Sequence, residues 1–88
     1  MYTVDPRSRP CLLLLVRPGC HLCEEFRAGL EAAFPGRFEL CEVCVDERSD
    51  WRERFGKQIP VLLPDDGQVL CATRFDSLPL SRRYGAQR

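Results

Sequence analysis

The sequence lacks an excess of charge of either sign, because 13 lysine and arginine side chains are balanced by 13 aspartate and glutamate side chains. It also lacks a hydrophobic run of the roughly 18 residues that a membrane-spanning helix needs. The first absence argues against binding to nucleic acid or to a membrane surface through bulk charge, and the second against an integral membrane protein. We therefore expect neither nucleic acid nor a membrane among its partners.

The sequence also shows no pattern that predicts an export signal. The longest apolar run, residues 11–16, follows several charged residues, and no small-residue cleavage site comes after it. This predicts a cytoplasmic protein, in which a close pair of cysteines is more often catalytic or metal-binding than structural. The six cysteines are therefore not expected to form the disulfide framework of a small secreted domain.

What is present is typical of one small globular domain. The 88 residues are 44% hydrophobic and 30% charged, which predicts a modest core. We expect residues 1–10 to be an N-terminal tail, residues 11–84 the folded domain, and residues 85–88 a C-terminal tail. We also expect a monomer.

Hydrophobic patterning predicts the first elements of the domain. Residues 12–16 are typical of a strand that is buried on both faces, and residues 20–34 have the apolar spacing of an amphipathic helix. A β-rich segment follows at 38–45, and a helix is predicted over 46–55, with Trp51 and Phe55 in the core and the next residue, a glycine, as its C-cap.

The remaining chain predicts a hairpin and a last helix. Strands over 61–63 and 68–71 flank Pro64-Asp65-Asp66-Gly67, and Asp-Gly between apolar runs indicates a hairpin. A helix over 77–84 is predicted to begin with Asp76 or Ser77 as its cap. The order is therefore β-α-β-α-β-β-α, which implies an α/β fold with a four-stranded mixed sheet flanked by helices.

The chemistry is predicted at Gly19-Cys20-His21-Leu22-Cys23, at the start of the first helix. Two cysteines three residues apart can form a disulfide with little backbone strain. Unpaired N–H groups and the positive end of the helix dipole stabilise a thiolate there and lower its pKa. Cys20 is nearer the helix end and is predicted to be the nucleophile, while Cys23 is predicted to resolve the mixed disulfide.

Two neighbours are candidates for assisting this pair. A protonated His21 adds positive charge beside the thiolate, and Arg17 either favours the thiolate or holds an anionic substrate. The alternative for each is an exposed side chain without a role in the chemistry. The sequence leaves both interpretations open.

A second Cys-x-x-Cys, at Cys41 and Cys44, makes zinc the main rival to redox chemistry. Seventeen residues separate Cys23 from Cys41, which falls within the spacing of four-cysteine zinc sites. However, Cys41 and Cys44 lie in a predicted strand, where residues three apart point to opposite faces. We therefore interpret them, together with Cys11 and Cys71, as small apolar residues used for packing, and we assign no metal ligand.

A further alternative is a non-enzymatic module that uses the dithiol to sense oxidation or to dock a partner. A sensor and a catalyst both need an exposed thiol of low pKa, so the sequence does not separate them. We expect an enzyme, a thiol–disulfide oxidoreductase.

These features resemble the small glutaredoxin-like proteins of the thioredoxin-fold superfamily. The resemblance covers roughly residues 11–84 and lies in Cys20-His21-Leu22-Cys23 after the first strand, Val45-Asp46 at the end of the second, and Ile59-Pro60-Val61 ahead of the hairpin.

The resemblance implies a glutaredoxin-like fold and specific roles. Cys20 would attack and Cys23 resolve, the Ile59–Pro60 bond would be cis and lie beside the sulfur atoms, and the backbone of Ile59 would pair with the substrate. Arg17 lies where many glutaredoxins have a basic residue that helps to bind glutathione. The expected partner is a disulfide-containing protein or glutathione, and no cofactor beyond glutathione is implied.

The chain departs from the glutaredoxin pattern in two places. The Gly-Gly pair and acidic residue expected after the last strand are replaced by Cys71-Ala72-Thr73-Arg74-Phe75-Asp76, in which only the acidic residue has a counterpart, Asp76. The familiar Pro-Tyr between the cysteines is replaced by His21-Leu22. Both departures bear on whether glutathione is the partner.

Overall fold

The structure is a computed structural model, and it describes residues 9–64 and 67–85. The predicted order of elements is confirmed, with one short additional turn of 3-10 helix. The elements are β1 (Cys11–Val16), α1 (His21–Ala33), β2 (Glu39–Cys44), a 3-10 turn (Val45–Glu47), α2 (Ser49–Phe55), β3 (Val61–Pro64), β4 (Cys71–Ala72) and α3 (Ser77–Tyr84).

The strands form the predicted four-stranded mixed sheet, in the order β2-β1-β3-β4. Strand β1 pairs in parallel with β2 and antiparallel with β3, and β3 pairs antiparallel with β4. Because β1 and β2 are parallel, they end at the same edge of the sheet, with Val16 opposite Cys44. This edge carries the loops that follow both strands, and it is where the cysteine pair lies.

The apolar sequence of β1 follows from its central place, because side chains on both of its faces are covered. Leu12, Leu14 and Leu15 are fully buried. Leu12 and Leu14 belong to a core cluster that includes Phe26 and Leu30 of α1. Burial of this kind contributes about 1.5–3 kcal/mol for each large apolar side chain and is the main source of stability.

The opposite face of the sheet has its own core cluster beneath α2. Leu15, Val45 and Phe55 are buried there, and Trp51 packs against them while remaining partly exposed. The predicted core positions of the two aromatic residues are thus confirmed for Phe55 and hold in part for Trp51. Helices therefore cover both faces of the sheet.

The helix predicted over 46–55 is divided in the structure. Residues 45–47 form the 3-10 turn, and Arg48 has an extended backbone before α2 begins. The reason is tertiary, since Val45 enters the core and Asp46 binds a residue that follows β1. Gly56 is the C-cap of α2, as predicted.

The predicted strand 68–71 is also shorter than expected. Only residues 71–72 pair with β3 as a strand, although the N–H of Leu70 still donates to the carbonyl of Leu62. Asp65 and Asp66 of the predicted hairpin turn lie outside the described residues. Gly67, which is described, has a φ of +81° and donates its N–H to the carbonyl of Pro64.

The interpretation of four cysteines as buried packing residues is wrong for two of them. Cys11 and Cys41 are exposed, while Cys44 and Cys71 are partly buried. Cys41 lies on β2, which is an edge strand, and Cys11 is the first residue of β1, where the core ends. Position in the sheet therefore overrides the usual tendency of cysteine to be buried.

Two residues of the predicted N-terminal tail are bonded to β2. Arg9 and Pro10, within the predicted N-terminal tail, both bond to Glu39: the Arg9 guanidinium to its carboxylate, and the Pro10 carbonyl to its N–H. Most of the two predicted tails, residues 1–8 and 86–88, lies outside the described residues.

Of the helices described here, none is sufficiently long and apolar to cross a membrane.

Candidate functional site: a cysteine pair at the start of a helix

A tight turn between β1 and α1 brings Cys20 to the start of the helix. The N–H of Cys20 donates to the carbonyl of Arg17 at 3.2 Å, and Pro18 and Gly19 lie between them. Gly19 has a φ of +76°, a conformation that side-chain-bearing residues rarely adopt. Proline followed by a glycine of positive φ is the pattern of a type II turn, so the local sequence itself predicts this geometry.

The two cysteines form a disulfide, Cys20–Cys23, with their Cα atoms 5.2 Å apart. Cys20 is the N-cap of α1, and its Sγ accepts a hydrogen bond of 3.1 Å from the N–H of Cys23. Cys20 is partly exposed, whereas Cys23 is 6% exposed. On reduction, the same N–H donor and the helix dipole would stabilise a thiolate on Cys20.

Both cysteines line a cavity of about 390 Å³ beside the sheet edge. We call it the cysteine groove. Its other walls are residues 16–19 of the loop, Glu24 and Arg27 of α1, and Glu42 and Cys44 of β2. The parallel pairing of β1 and β2 brings these segments together.

Arg17 lines the cysteine groove, but its guanidinium is bound to other protein groups. Nε and Nη2 donate to the two carboxylate oxygens of Asp46 at 2.9 and 3.0 Å, and Nη1 donates to the carbonyl of Gly56 at 2.9 Å. A paired, bidentate bond of this type is among the stronger polar contacts. The hydrogen bond from Arg17, although opposed by partial burial, holds the pKa of Asp46 below its ordinary value.

Two further groups interact with the same carboxylate of Asp46. The Sγ of Cys44 donates to Oδ2 at 3.9 Å, and the charge of Arg52 also lowers the pKa of Asp46. Arg17 therefore has a structural role, because its side chain joins the loop after β1 to the 3-10 turn and to the end of α2.

The second arginine of the groove, Arg27, is paired as well. Its Nη1 donates to Oε2 of Glu42 at 2.8 Å, and this hydrogen bond is the main reason why the pKa of Arg27 is raised. Sequence reasoning missed this pair. The only signal in the sequence was position, since Arg27 is one helical turn after Cys23 and Glu42 lies near the end of a predicted strand. The pair follows only once β1 and β2 are known to be parallel neighbours.

His21 does not line the cysteine groove. Its Nε2 lies 2.8 Å from Oε2 of Glu25, one helical turn further on, and its side chain is 81% exposed. The structure therefore points the imidazole to solvent, and its predicted influence on the thiolate stays a prediction.

The Ile59–Pro60 bond is cis, as the resemblance implied. Pro60 is fully buried, and Ile59 packs against the core cluster beneath α2. Neither residue lines the cysteine groove, so their predicted part in substrate binding stays a prediction.

Thr73 fastens the loop after β4 to this proline segment. Its N–H donates to the carbonyl of Pro60 at 2.8 Å, and its Oγ1 donates to the carbonyl of Gln58 at 3.2 Å. Its φ is +72°, in the left-handed region that favours glycine. Thr73 lies in the segment where the resemblance implies a Gly-Gly pair. The backbone there adopts a conformation typical of glycine, although the residue is threonine.

The structure does not bring together the four cysteines of the zinc hypothesis. Cys44 lines the cysteine groove, whereas Cys41 lines a separate apolar cavity with Trp51. Within residues 9–64 and 67–85, no group of three or more histidine, cysteine, aspartate or glutamate side chains is arranged to hold a metal ion.

A mixed four-stranded sheet with helices on both faces, and a Cys-x-x-Cys pair at the start of the first helix, define a glutaredoxin-like protein of the thioredoxin fold. Residues 11–83 match the Glutaredoxin-like domain (DUF836). The chain belongs to this family.

Similar solved structures agree with that assignment. A structural genomics target protein from X. campestris, XcR50, is 30% identical, with a TM-score of 0.63 over 82% of this chain and 92% of the other. Protein Ne2328 from Nitrosomonas europaea, solved by NMR, is 24% identical and shares the fold, with a TM-score of 0.68 over 94% of this chain and 98% of the other. No curated protein sequence matches the chain.

Proposed function

We propose that the protein catalyses thiol–disulfide exchange with Cys20 as nucleophile and Cys23 as resolving residue. The observation that supports this most is the placement of the pair: Cys20 caps α1 and is accessible, while Cys23 lies one turn inward and is buried. A nucleophile must reach its substrate, and the resolving thiol needs to reach only the nucleophile.

The reaction takes two displacements. The Cys20 thiolate attacks one sulfur of a substrate disulfide, forms a mixed disulfide and releases the other substrate sulfur as a thiolate. The Cys23 thiolate then attacks Sγ of Cys20 and releases the second substrate sulfur, which leaves the Cys20–Cys23 disulfide. The protein loses two electrons and the substrate gains them, and the two protons of the cysteines end on the substrate thiols.

Ile59, Pro60 and His21 fit around this reaction as part of the proposal. The predicted part of Arg17 in substrate binding stays a prediction, since its guanidinium is bonded to Asp46 and to a backbone carbonyl. The backbone of Ile59 beside Pro60 would pair with an extended substrate, and His21 would add positive charge when protonated. The substrate would be a disulfide-containing protein or glutathione, met by a monomer in the cytoplasm, and no metal or other cofactor takes part.

A redox titration tests the proposal. The protein is equilibrated in graded dithiothreitol buffers, free thiols are trapped by alkylation, and the modified cysteines are mapped by mass. We expect one cooperative two-thiol step at Cys20 and Cys23, while the four other cysteines are modified at every potential. Protection of Cys20, Cys23, Cys41 and Cys44 that only a chelator removes would replace the proposal with a zinc site.

Two serine variants separate the roles of the cysteines and distinguish a catalyst from a sensor. Cys23→Ser is expected to accumulate a mixed disulfide on Cys20, whereas Cys20→Ser is expected to accumulate none, because the attacking thiolate is gone. Wild-type protein with excess dithiothreitol should accelerate the reduction of a protein disulfide such as that of insulin. Reversible oxidation without such turnover would favour the sensor.

A further inference from the structure

The cysteine groove carries charges of both signs, and its cations are already paired. Arg17 is bonded to both carboxylate oxygens of Asp46, and Arg27 is bonded to Glu42. Glu24 is a second carboxylate close enough to Arg27 to raise its pKa. Glu24 and Glu42 therefore line the groove beside the two guanidinium groups. Asp46, which does not line it, holds Arg17 from outside.

This arrangement disfavours an anionic substrate. A substrate carboxylate gains a guanidinium partner only by breaking an existing ion pair, and it must also approach the carboxylates of Glu24 and Glu42. Like charges placed together at a binding surface reduce both affinity and the rate of association. Glutathione disulfide carries more carboxylates than ammonium groups, so it is an anion at neutral pH.

The neighbouring surface does not reverse this balance. A smaller cavity of about 250 Å³ is lined by Leu22, which comes between the two cysteines in the sequence. The charged residues that line this cavity are one of each sign, Glu25 and Arg74. His21 is paired with Glu25, and the charge of Arg52 acts on Asp46. Arg74 and Arg52 are the cations that this neighbouring surface adds, and both lie outside the groove itself.

We propose that the cysteine groove selects disulfides flanked by basic side chains in a polypeptide, and disfavours glutathione disulfide. This rests on the proposed function, because it specifies the substrate of the same cysteine pair. The specificity-determining groups are Glu24, Glu42 and Asp46, of which the last two act by neutralising the arginines. A substrate lysine or arginine next to its disulfide would meet Glu24 and Glu42, which line the groove, as the Cys20 thiolate attacks.

A series of small disulfides of similar length isolates the effect of charge. The probes are cystamine, which is a cation, hydroxyethyl disulfide, which is neutral, and dithiodipropionate, which is an anion. The reduced protein is mixed with each probe and the rate of Cys20–Cys23 disulfide formation is measured. Dividing each rate by that of dithiothreitol with the same probe removes differences in intrinsic reactivity.

We expect the normalised rate to fall from cystamine through hydroxyethyl disulfide to dithiodipropionate, by about tenfold across the series. Added salt should compress this range, because it screens charges that are exposed to solvent. Glutathione disulfide should behave like dithiodipropionate.

Two variants with matched controls test the named residues. Glu42→Gln frees Arg27 and should raise the normalised rate with dithiodipropionate about two- to fivefold, while Asp46→Asn frees Arg17 and should act in the same direction. The controls remove the same charge elsewhere: Glu39→Gln, on the same strand but paired with Arg9, and Asp50→Asn, paired with Arg48. Neither control residue lines the groove. Neither control variant should change the order of the normalised rates with the three probes.

The outcomes separate this inference from the proposed function. Failure to react with any probe would overturn the exchange reaction itself. Reaction with all three, with dithiodipropionate or glutathione disulfide fastest after normalisation, would keep the exchange reaction and overturn the charge selection. An increase for the anion with the control variants as large as with Glu42→Gln and Asp46→Asn would show that net charge, and not the groove, sets the rates.

Discussion

At the scale of single residues, Thr73 holds an unusual conformation. A positive φ is uncommon for any residue with a side chain and is a clear outlier for a β-branched one. The conformation costs on the order of 1–2 kcal/mol, which the two hydrogen bonds of Thr73 to residues 58 and 60 help to offset. This is a position where local strain is accepted to fasten one loop to another.

Thr73→Asn removes the hydroxyl but relieves the strained conformation, so its free energy of unfolding is expected to lie about 0.5–1 kcal/mol above that of Thr73→Val, because asparagine tolerates the left-handed region better than a β-branched residue. Thr73→Val keeps the shape and the strain but removes the hydroxyl, so it should lower the free energy of unfolding by about 1 kcal/mol. Urea denaturation of both variants in the oxidised state measures these changes. If both variants are destabilised equally, the hydroxyl contact matters and the backbone strain does not.

At the scale of elements, the sequence predicted best those segments whose signals are local. Helix α3 begins at Ser77, as predicted, and Asp76 is the one of the two candidate caps that acts, since its carboxylate accepts a hydrogen bond from the N–H of Leu78. The 3-10 turn and the break at Arg48 were not predictable in the same way. They depend on Val45 entering the core and on Asp46 reaching Arg17, which is 29 residues away in the sequence.

The end of α2 provides a prediction at this scale. A Cβ at Gly56 would lie 2.5 Å from the carbonyl oxygen of Arg52 and 3.2 Å from Nη2 of Arg17. Because the first contact is with backbone, Gly56→Ala should displace the end of the helix and lower the free energy of unfolding by about 1–3 kcal/mol. Thermal or urea unfolding measures the change.

A double-mutant cycle with Arg17→Gln shows which contact is responsible. If the alanine at position 56 acts partly by pushing on the guanidinium, its cost should be smaller when the arginine is already shortened. Equal costs in both backgrounds would assign the whole effect to the backbone of Arg52. An unchanged free energy of unfolding for Gly56→Ala alone would contradict the close packing at this position.

At the scale of the whole molecule, the site combines a local motif with contacts between distant segments. The cysteine pair and its place at a helix start were predictable because they are adjacent in sequence. The pairs that surround it join residues 15, 29 and 39 positions apart, and they follow from the parallel β1–β2 edge and from α2. Their existence could be inferred only after the sheet order was known, which is why the charge balance of the groove was missed.

The Arg17–Asp46 pair predicts how stability depends on pH. Because Arg17 lowers the pKa of Asp46 in the folded protein, the folded state favours the carboxylate more than the unfolded chain does, in which an aspartate has a pKa of about 3.9. The contribution to stability is therefore complete above that unfolded value and is lost as pH falls through the lower folded value. The difference in free energy of unfolding between wild type and Asp46→Asn should be constant above about pH 5 and should shrink below about pH 4.

Asp50→Asn is the control, since the pKa of Asp50 is also lowered, chiefly by Arg48, but that pair joins residues only two apart and should give a smaller difference. Urea denaturation of the oxidised proteins across this range provides the measurement. A difference for Asp46→Asn that persists unchanged at the most acidic pH would mean that the side chain stabilises the fold through its shape and not through its charge.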